Sequence, residues 1–188
     1  IIGTGIYVDD VDREFRAIAL TLGGISLALL ALMGLFGWRI SVSVTGQLGG
    51  SRAGHHYKFT PRLAEGRWLA AQPDVVAMMD ISDGLAKDVH SVTPRGLVAA
   101  VSPARIPASR AARTAARKSK SPAWVHALTD GEDFELLVVV RGTSDPAKFV
   151  ARWNRQFDLR LTLIGSFRRK LAPDDVNWEG LHGYEHLR

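Results

Sequence analysis

The sequence predicts one α/β or α+β domain from about residue 42 onward, preceded by a single transmembrane helix. Two observations predict the domain. Short apolar runs such as Val75–Met79 and Leu136–Val140 read as buried strands. Stretches of helical spacing lie between such runs, and the two kinds of element alternate irregularly. A third observation predicts the membrane helix. Ala17–Trp38 carries no charge over about 22 residues, enough to cross a hydrocarbon core of about 30 Å.

Composition narrows the class. A chain of 188 residues has room for one ordinary domain plus an appendage. Hydrophobic content of 46% and charged content of 23% describe a folding chain. There is no cysteine, which excludes disulfides and thiolate metal sites and fits a reducing compartment. The net charge of +5 favours anionic ligands or an anionic membrane face without pointing to nucleic acid.

The elements follow in order. Residues 1–16 mix Asp9, Asp10, Asp12 and Glu14 with Val8, Val11 and Phe15. In 17–39, leucines spread around all faces, and Gly23, Gly24, Gly34 and Gly37 suit a membrane helix better than a soluble one. Trp38 and Arg39 form an interfacial end. A buried core helix or a signal peptide is the competing reading. The acidic upstream flank and the Trp-Arg exit argue against the signal peptide. Arg39, Arg52, Lys58, Arg62 and Arg67 favour a cytoplasmic C-terminal side, although Arg13 and Arg16 stand upstream.

Ser41–Thr45 is β-rich, and Gly46, Gly49 and Gly50 open a loop that is either a plain turn or a phosphate cradle. His55 and His56 lack the spacing of a zinc helix motif and read as surface residues. Pro61–Ala70 predicts a helix with proline at its start. Leu97–Val101 is a short strand, and Pro103 and Pro107 bound a loop. Arg110, Arg113 and Arg117 share one side of an alanine-rich helix. A solvated basic face is the default there, since no aromatic residues are interleaved for base stacking. Lys118–Pro122 reads as an exposed loop, and Trp124–Leu128 as a short helix ending near Gly131. Ser144-Asp145-Pro146 starts a further helix. Its stripe Phe149, Val150, Trp153 and Phe157 is core. Leu159, Leu161 and Leu163 alternate with polar residues as a strand, and the remainder is loop.

Two acidic corners carry the chemistry. In Asp80-Ile81-Ser82-Asp83-Gly84-Leu85 a buried strand runs into a turn and then a helix marked by Leu85, Ala86, Val89 and Val92. Such a corner can aim carboxylate oxygens at Mg²⁺ and helix N–H groups at phosphate. Equally, Ser82 or Asp83 can simply cap the helix. The second corner is Gly131-Glu132-Asp133-Phe134-Glu135-Leu136. Its carboxylates repel one another unless a cation or donor compensates. It is either a solvated acidic turn or a site for a cationic substrate.

These two motifs, with Gly183-Tyr184-Glu185-His186 near the C-terminus, resemble in order three signatures of thiamine-monophosphate kinase. Val44–Ser51 and the Pro61–Ala70 segment are similar to other stretches of that family's C-terminal half. The resemblance covers roughly three quarters of the chain, 42–188. It implies the fold shared with aminoimidazole ribonucleotide synthetase, a mixed sheet with helices against it. It also implies phosphorylation of thiamine monophosphate by ATP to thiamine diphosphate, with Mg²⁺. Carried over, Asp80 and Asp83 ligate Mg²⁺, Ser82 contacts ATP, and Glu132 and Tyr184 contact thiamine monophosphate. No residue is implied as a general base, which suits phosphoryl transfer by positioning and charge neutralisation. The family's N-terminal ATP and metal domain has no counterpart in 1–41, so very slow or no turnover by this chain alone is expected.

Gly3–Asp12, followed at once by the apolar stretch, resembles the end of a single Cache chemoreceptor domain, with the join near Ile40–Val44. The resulting expectation is a single-pass membrane protein with residues 42–188 in the cytoplasm, or a cytoplasmic protein if 17–39 does not insert. Two other readings stay open: a membrane-tethered, non-catalytic module binding thiamine phosphate or nucleotide, and a remnant of a Cache-type receptor fusion. Homodimer pairing, or a partner supplying the missing domain, is a further expectation.

Overall fold

The structure, a computed structural model, describes residues 40–50, 54, 57–141 and 145–183. The expected juxtamembrane tail 1–16, the apolar stretch 17–39, His55, His56 and Tyr184 lie outside the described residues. Within those residues, no helix is long and apolar enough to cross a membrane. The chain divides into two units, Ile1–Gly37 and Trp38–Arg188, and every described residue lies in the second.

Five strands form one sheet: β1 (Ser41–Thr45), β2 (Val75–Ile81), β3 (Val98–Val101), β4 (Glu135–Val140) and β5 (Leu161–Arg168). Their order across the sheet is β2-β4-β1-β5-β3. Helices α1 (Leu63–Ala70), α2 (Leu85–Ser91), α3 (Arg110–Ser119), α4 (Ala123–Thr129) and α5 (Pro146–Gln156) connect them, with a 3₁₀ turn at Pro103–Arg105. The α+β class holds, but the sheet is not mixed: all four strand pairings are antiparallel. The reason is interleaving. The crossover from β1 through α1 to β2 leaves a gap that β4 fills, and the crossover from β4 through α5 to β5 leaves a gap that β1 fills. Each crossover joins parallel strands, and each is split by an antiparallel one.

The strands bury both faces. On β4, Leu137 and Val139 face one core while Val138 and Val140 face another, as period-2 alternation demands. The first core gathers Val42 and Val44 with Leu85 and Val89 of α2, Ala112 of α3 and Leu128 of α4. The second packs Leu69 of α1 against Phe149 and Trp153 of α5. The predicted aromatic stripe is therefore core, with Trp68 edge-on to Trp153 at 5.7 Å.

Several local expectations are corrected. Helix α1 begins at Leu63, not Pro61, and Arg62 stands at its N-cap with a side chain committed elsewhere. Helix α3 runs on to Ser119, and Lys120 in left-handed conformation (φ 61) ends it. Strand β5 does not keep simple alternation. Its buried positions are Leu161, Ile164 and Phe167. A register shift opposite Val42/Ser43 inserts Ile164 between the partners Gly165 and Leu163, so the strand serves both cores. The final stretch has no helix or strand but is not bare loop: Val176 is buried, and its N–H donates to the Val101 carbonyl at 2.8 Å. The Trp178 indole donates to the Ala99 carbonyl at 2.7 Å.

One cap ties helix to loop. Ser109 Oγ accepts from the Ala112 N–H at 3.0 Å and donates to the Gly49 carbonyl at 2.8 Å. Ser109→Ala is expected to cost about 1–2 kcal/mol, measured as a lower urea midpoint with unchanged slope.

Candidate functional site

The two acidic corners are one structure. Strand β2 pairs with β4 so that Asp80 lies opposite Leu136 and Ile81 opposite Glu135. Beyond the ladder the pairing continues by backbone alone: the Phe134 N–H donates to the Ile81 carbonyl at 2.9 Å, and the Glu132 N–H to the Ser82 carbonyl at 2.7 Å. Ser82 is thus brought alongside Glu132, with Asp83 next to it in the chain and Asp80 two residues back on β2. Gly183 abuts the same corner: a Cβ built there would stand 2.3 Å from the Asp83 carbonyl oxygen.

Neither Ser82 nor Asp83 caps the following helix. Gly84 holds the N-cap with φ 94 and offers no side chain. A side chain at Gly84 would also stand 2.9 Å from the Leu128 carbonyl oxygen, so the corner needs glycine twice over. The corner's N–H groups are instead received by Asp88, whose Oδ2 accepts from Ser82 at 3.0 Å and Asp83 at 3.1 Å. Sequence reading passed over Asp88. The available signal was a carboxylate in the first turn of α2, one turn beyond the motif. Burial pushes the Asp88 carboxyl above its ordinary range. The two N–H donors oppose this, and the nearby charges of Asp83 and Asp80 add to it. Asp83 itself pairs with Lys87 at 2.5 Å on the exposed side.

The second corner is not a solvated turn. Asp133 and Glu135 are 0% and 2% exposed. The donors that prevent mutual repulsion come from the glycine loop and from Arg62 at the start of α1. The glycine loop supplies two N–H groups, with Asp133 Oδ1 accepting from Gly49 at 2.7 Å and Gly50 at 3.2 Å. Arg62 forks onto Glu135, Nε to Oε2 at 2.9 Å and Nη2 to Oε1 at 2.6 Å. Thr45 Oγ1 donates to the same carboxylate at 2.8 Å and accepts from the Leu136 N–H. The glycine loop is therefore a carboxylate receptor, a role the sequence left undecided. Asp133 Oδ2 is buried with no hydrogen-bond partner. Burial, reinforced by the charges of Glu135 and Asp130 against the two loop donors, raises the Asp133 pKa to about 7.

The backbone here is strained as well as charged. Glu132 and Phe134 hold φ of 54 and 52, and Gly131 holds 66. A left-handed phenylalanine is costly and persists only where its surroundings fix it. Phe134 is held by stacking on Phe59, with ring centroids 4.4 Å apart. The strain turns Glu132, which is half-buried, out of the strand direction beside Ser82.

The metal question turns on donor chemistry. Among the described residues no three His, Cys, Asp or Glu side chains gather as a ligand set. Asp80 and Asp83 supply hard oxygen donors on one corner, which fits Mg²⁺. That ion keeps waters and takes one or two carboxylates plus substrate phosphate oxygens. Asp80 is exposed and open to such a role, whereas Asp83 would exchange Lys87 for the ion.

Known proteins resemble the chain over half of its length or more. A thiamine-monophosphate kinase of Rhodopirellula baltica is 38% identical over 98 residues, 52% of this chain and 31% of that protein. A thiamine-monophosphate kinase of Halobacterium salinarum is 37% identical over 154 residues, 74% of this chain and 49% of that protein. The chain is a partial homologue of thiamine-monophosphate kinase. It spans about half the length, or less, of these curated relatives. Among solved structures, AaThiL complexed with AMPPCP and TMP superposes with TM-score 0.60 at 26% identity, covering 80% of this chain and 52% of that one. No family model matches the chain. The kinase likeness thus rests on relatives and on fold together.

Proposed function

We propose that this chain provides the thiamine-phosphate-facing part of an ATP-dependent thiamine-monophosphate kinase, working at the joined corner of Asp80–Asp83 and Glu132. The observation that carries the reading is the backbone bond between Glu132 and Ser82, which unites two distant motifs at one spot. The solved relative bound to AMPPCP and TMP supports the ligand classes.

Each residue has a role set by its chemistry. Asp80 and Asp83 would hold Mg²⁺, which when bound neutralises phosphate charge during transfer. The Ser82 hydroxyl contacts ATP. The Glu132 carboxylate faces the cationic thiazolium of thiamine monophosphate, and Tyr184 offers an aromatic face to the same ring. Asp88 positions the corner by holding the Ser82 and Asp83 N–H groups. In this reading the rest of the nucleotide site, and any pairing with a second copy or a partner, lies outside residues 40–183. Membrane tethering through 17–39, with the Cache-like tail 1–16 on the far side, belongs to the same proposal. Detergent-dependent fractionation of the full chain tests it.

The test of the corner is binding, because it does not require turnover. With Mg²⁺ and AMPPCP present, calorimetry is expected to show thiamine monophosphate binding that Glu132→Gln weakens about tenfold or more, the loss of one charge-assisted contact. Asp80→Asn is expected to abolish the Mg²⁺ dependence of that binding. Equal affinity for thiamine monophosphate in wild type and Glu132→Gln would overturn the assignment.

A further inference from the structure

A second constellation lies at the junction of α3 and α4, beside the second acidic corner, where the charge of Asp130 reaches Asp133. Ser119 ends α3, and the left-handed turn at Lys120 brings the chain back so that α4 runs beneath it. His126 and Asp130 are one turn apart at α4 and its C-cap. The Ser119 hydroxyl lies 2.7 Å from His126 Nε2, and His126 Nδ1 lies 3.3 Å from Asp130 Oδ1. The Ser121 N–H donates to Ser119 Oγ at 3.2 Å, which takes up one of the hydroxyl's two lone pairs. In the tautomer that donates from Nδ1 to the Asp130 carboxyl, Nε2 is left as the acceptor facing the Ser119 hydroxyl.

Burial is graded along the relay. Ser119 is exposed, His126 is 7% exposed and Asp130 is 5% exposed. In front of Ser119 and His126 opens a cavity of about 920 Å³. Lys58, Arg110 and Lys118 are among the residues that line it, and no acidic side chain is among its described lining residues. A His–Asp pair four residues apart is common on helices and would by itself say nothing. Here a hydroxyl occupies the second ring nitrogen, and the hydroxyl faces a cationic cavity.

We propose that Ser119 is a nucleophile for acyl transfer, acting on small carboxylic esters that carry a negative charge. Ser119 Oγ attacks the ester carbonyl carbon while its proton passes to His126 Nε2. Asp130 positions the ring and stabilises the imidazolium. The C–O bond to the leaving alcohol breaks, and that alcohol takes the proton from Nε2. Water then repeats the sequence on the acyl-serine, releasing the carboxylate and restoring the hydroxyl. The lysines and Arg110 of the lining, rather than a pair of backbone N–H groups, face the developing oxyanion and select the anionic substrate. None of Asp80, Ser82, Asp83 or Glu132 lines this cavity, so the proposal stands apart from the kinase reading.

The experiment treats the full chain with a fluorophosphonate probe and maps the adduct by peptide mass spectrometry. The adduct is expected on Ser119, absent in Ser119→Ala, and formed about a hundredfold more slowly in His126→Gln. In parallel, mono-4-nitrophenyl succinate is expected to be hydrolysed roughly tenfold faster than 4-nitrophenyl acetate, a preference that Arg110→Ala removes. Ser119 is exposed, so Ser119→Ala is expected to keep the fold, which circular dichroism checks. Wild-type protein unlabelled at Ser119, or succinate ester hydrolysis unchanged in Ser119→Ala, overturns the proposal.

Discussion

Replacing Arg62 by alanine is expected to destabilise the fold by about 3 kcal/mol, read as a lowered urea midpoint. Arg62 is the cation that compensates Glu135, whose side chain is 3% exposed against 15% for Arg62. Glu135 strengthens its partner in return: the hydrogen bond between them holds the Arg62 guanidinium above its ordinary pKa, although burial works against this. Without Arg62, Glu135 keeps the Thr45 hydroxyl as its side-chain donor among the described residues. A buried carboxylate missing its main partner loses far more than the pair gained by forming, because the desolvation cost remains. The companion variant decides the cause. Arg62→Met with Glu135→Leu removes both charges and is expected to recover most of the loss, to within about 1 kcal/mol of wild type. A double variant no more stable than Arg62→Ala would show that the stranded Glu135 charge does not carry the effect. The same carboxylate explains a glycine: a Cβ at Gly46, which holds φ +57, would stand 2.2 Å from Glu135 Oε1.

The second large effect is a pH dependence centred on Asp133. Its folded pKa of about 7 lies above the ordinary value of 3.8. Such a carboxyl stabilises the fold only while protonated. Below about pH 4 native and unfolded chains both hold the proton, and the full contribution is present. Between about pH 4 and 7 the native state alone retains it, so stability falls as pH rises, and above about 7 the loss is complete. The difference corresponds to roughly 4 kcal/mol at most. Asp133→Asn keeps an oxygen for the Gly49 and Gly50 N–H groups but carries no charge. Its stability is expected to fall much less than that of wild type across that window, keeping only the Asp88 part of the slope, and to exceed wild type at pH 8. Urea unfolding at intervals from pH 4 to 8 checks this, and parallel curves for the two proteins would refute it. Asp88, also raised by burial, contributes the same sign in wild type and variant alike, so it cancels in the comparison.

Much of the fold was legible in the chain. The strand at Ser41–Thr45, the strand-turn-helix at Val75–Ser91 and the Asp145-Pro146 helix start all follow from local rules. Apolar runs need burial, capping side chains need N–H donors, and proline at a first turn costs no hydrogen bond. At that helix Asp145 Oδ1 does accept from the Ala147 N–H at 2.9 Å. What failed were features that depend on a partner distant in sequence. The bulge at Ile164 exists because β1 lies opposite, and the antiparallel order exists because two crossovers interleave.

The candidate site divides the same way. Asp80, Ser82, Asp83 and Glu132 stand out in the sequence as acidic clusters at strand ends and by their likeness to kinase signatures. Sequence could not say that Glu132 bonds Ser82 across 50 residues of chain, nor that Gly49, Gly50 and Arg62 are the donors for Asp133 and Glu135.

The sequence by itself determined which residues could be strands, helices and metal-seeking carboxylates, because propensity, periodicity and charge are properties of neighbours along the chain. Only the tertiary structure decided which carboxylates are buried, and so which need donors, since desolvation depends on what packs over a group. It also decided that the two acidic turns form one corner, because the β2–β4 ladder sets their register across the sheet.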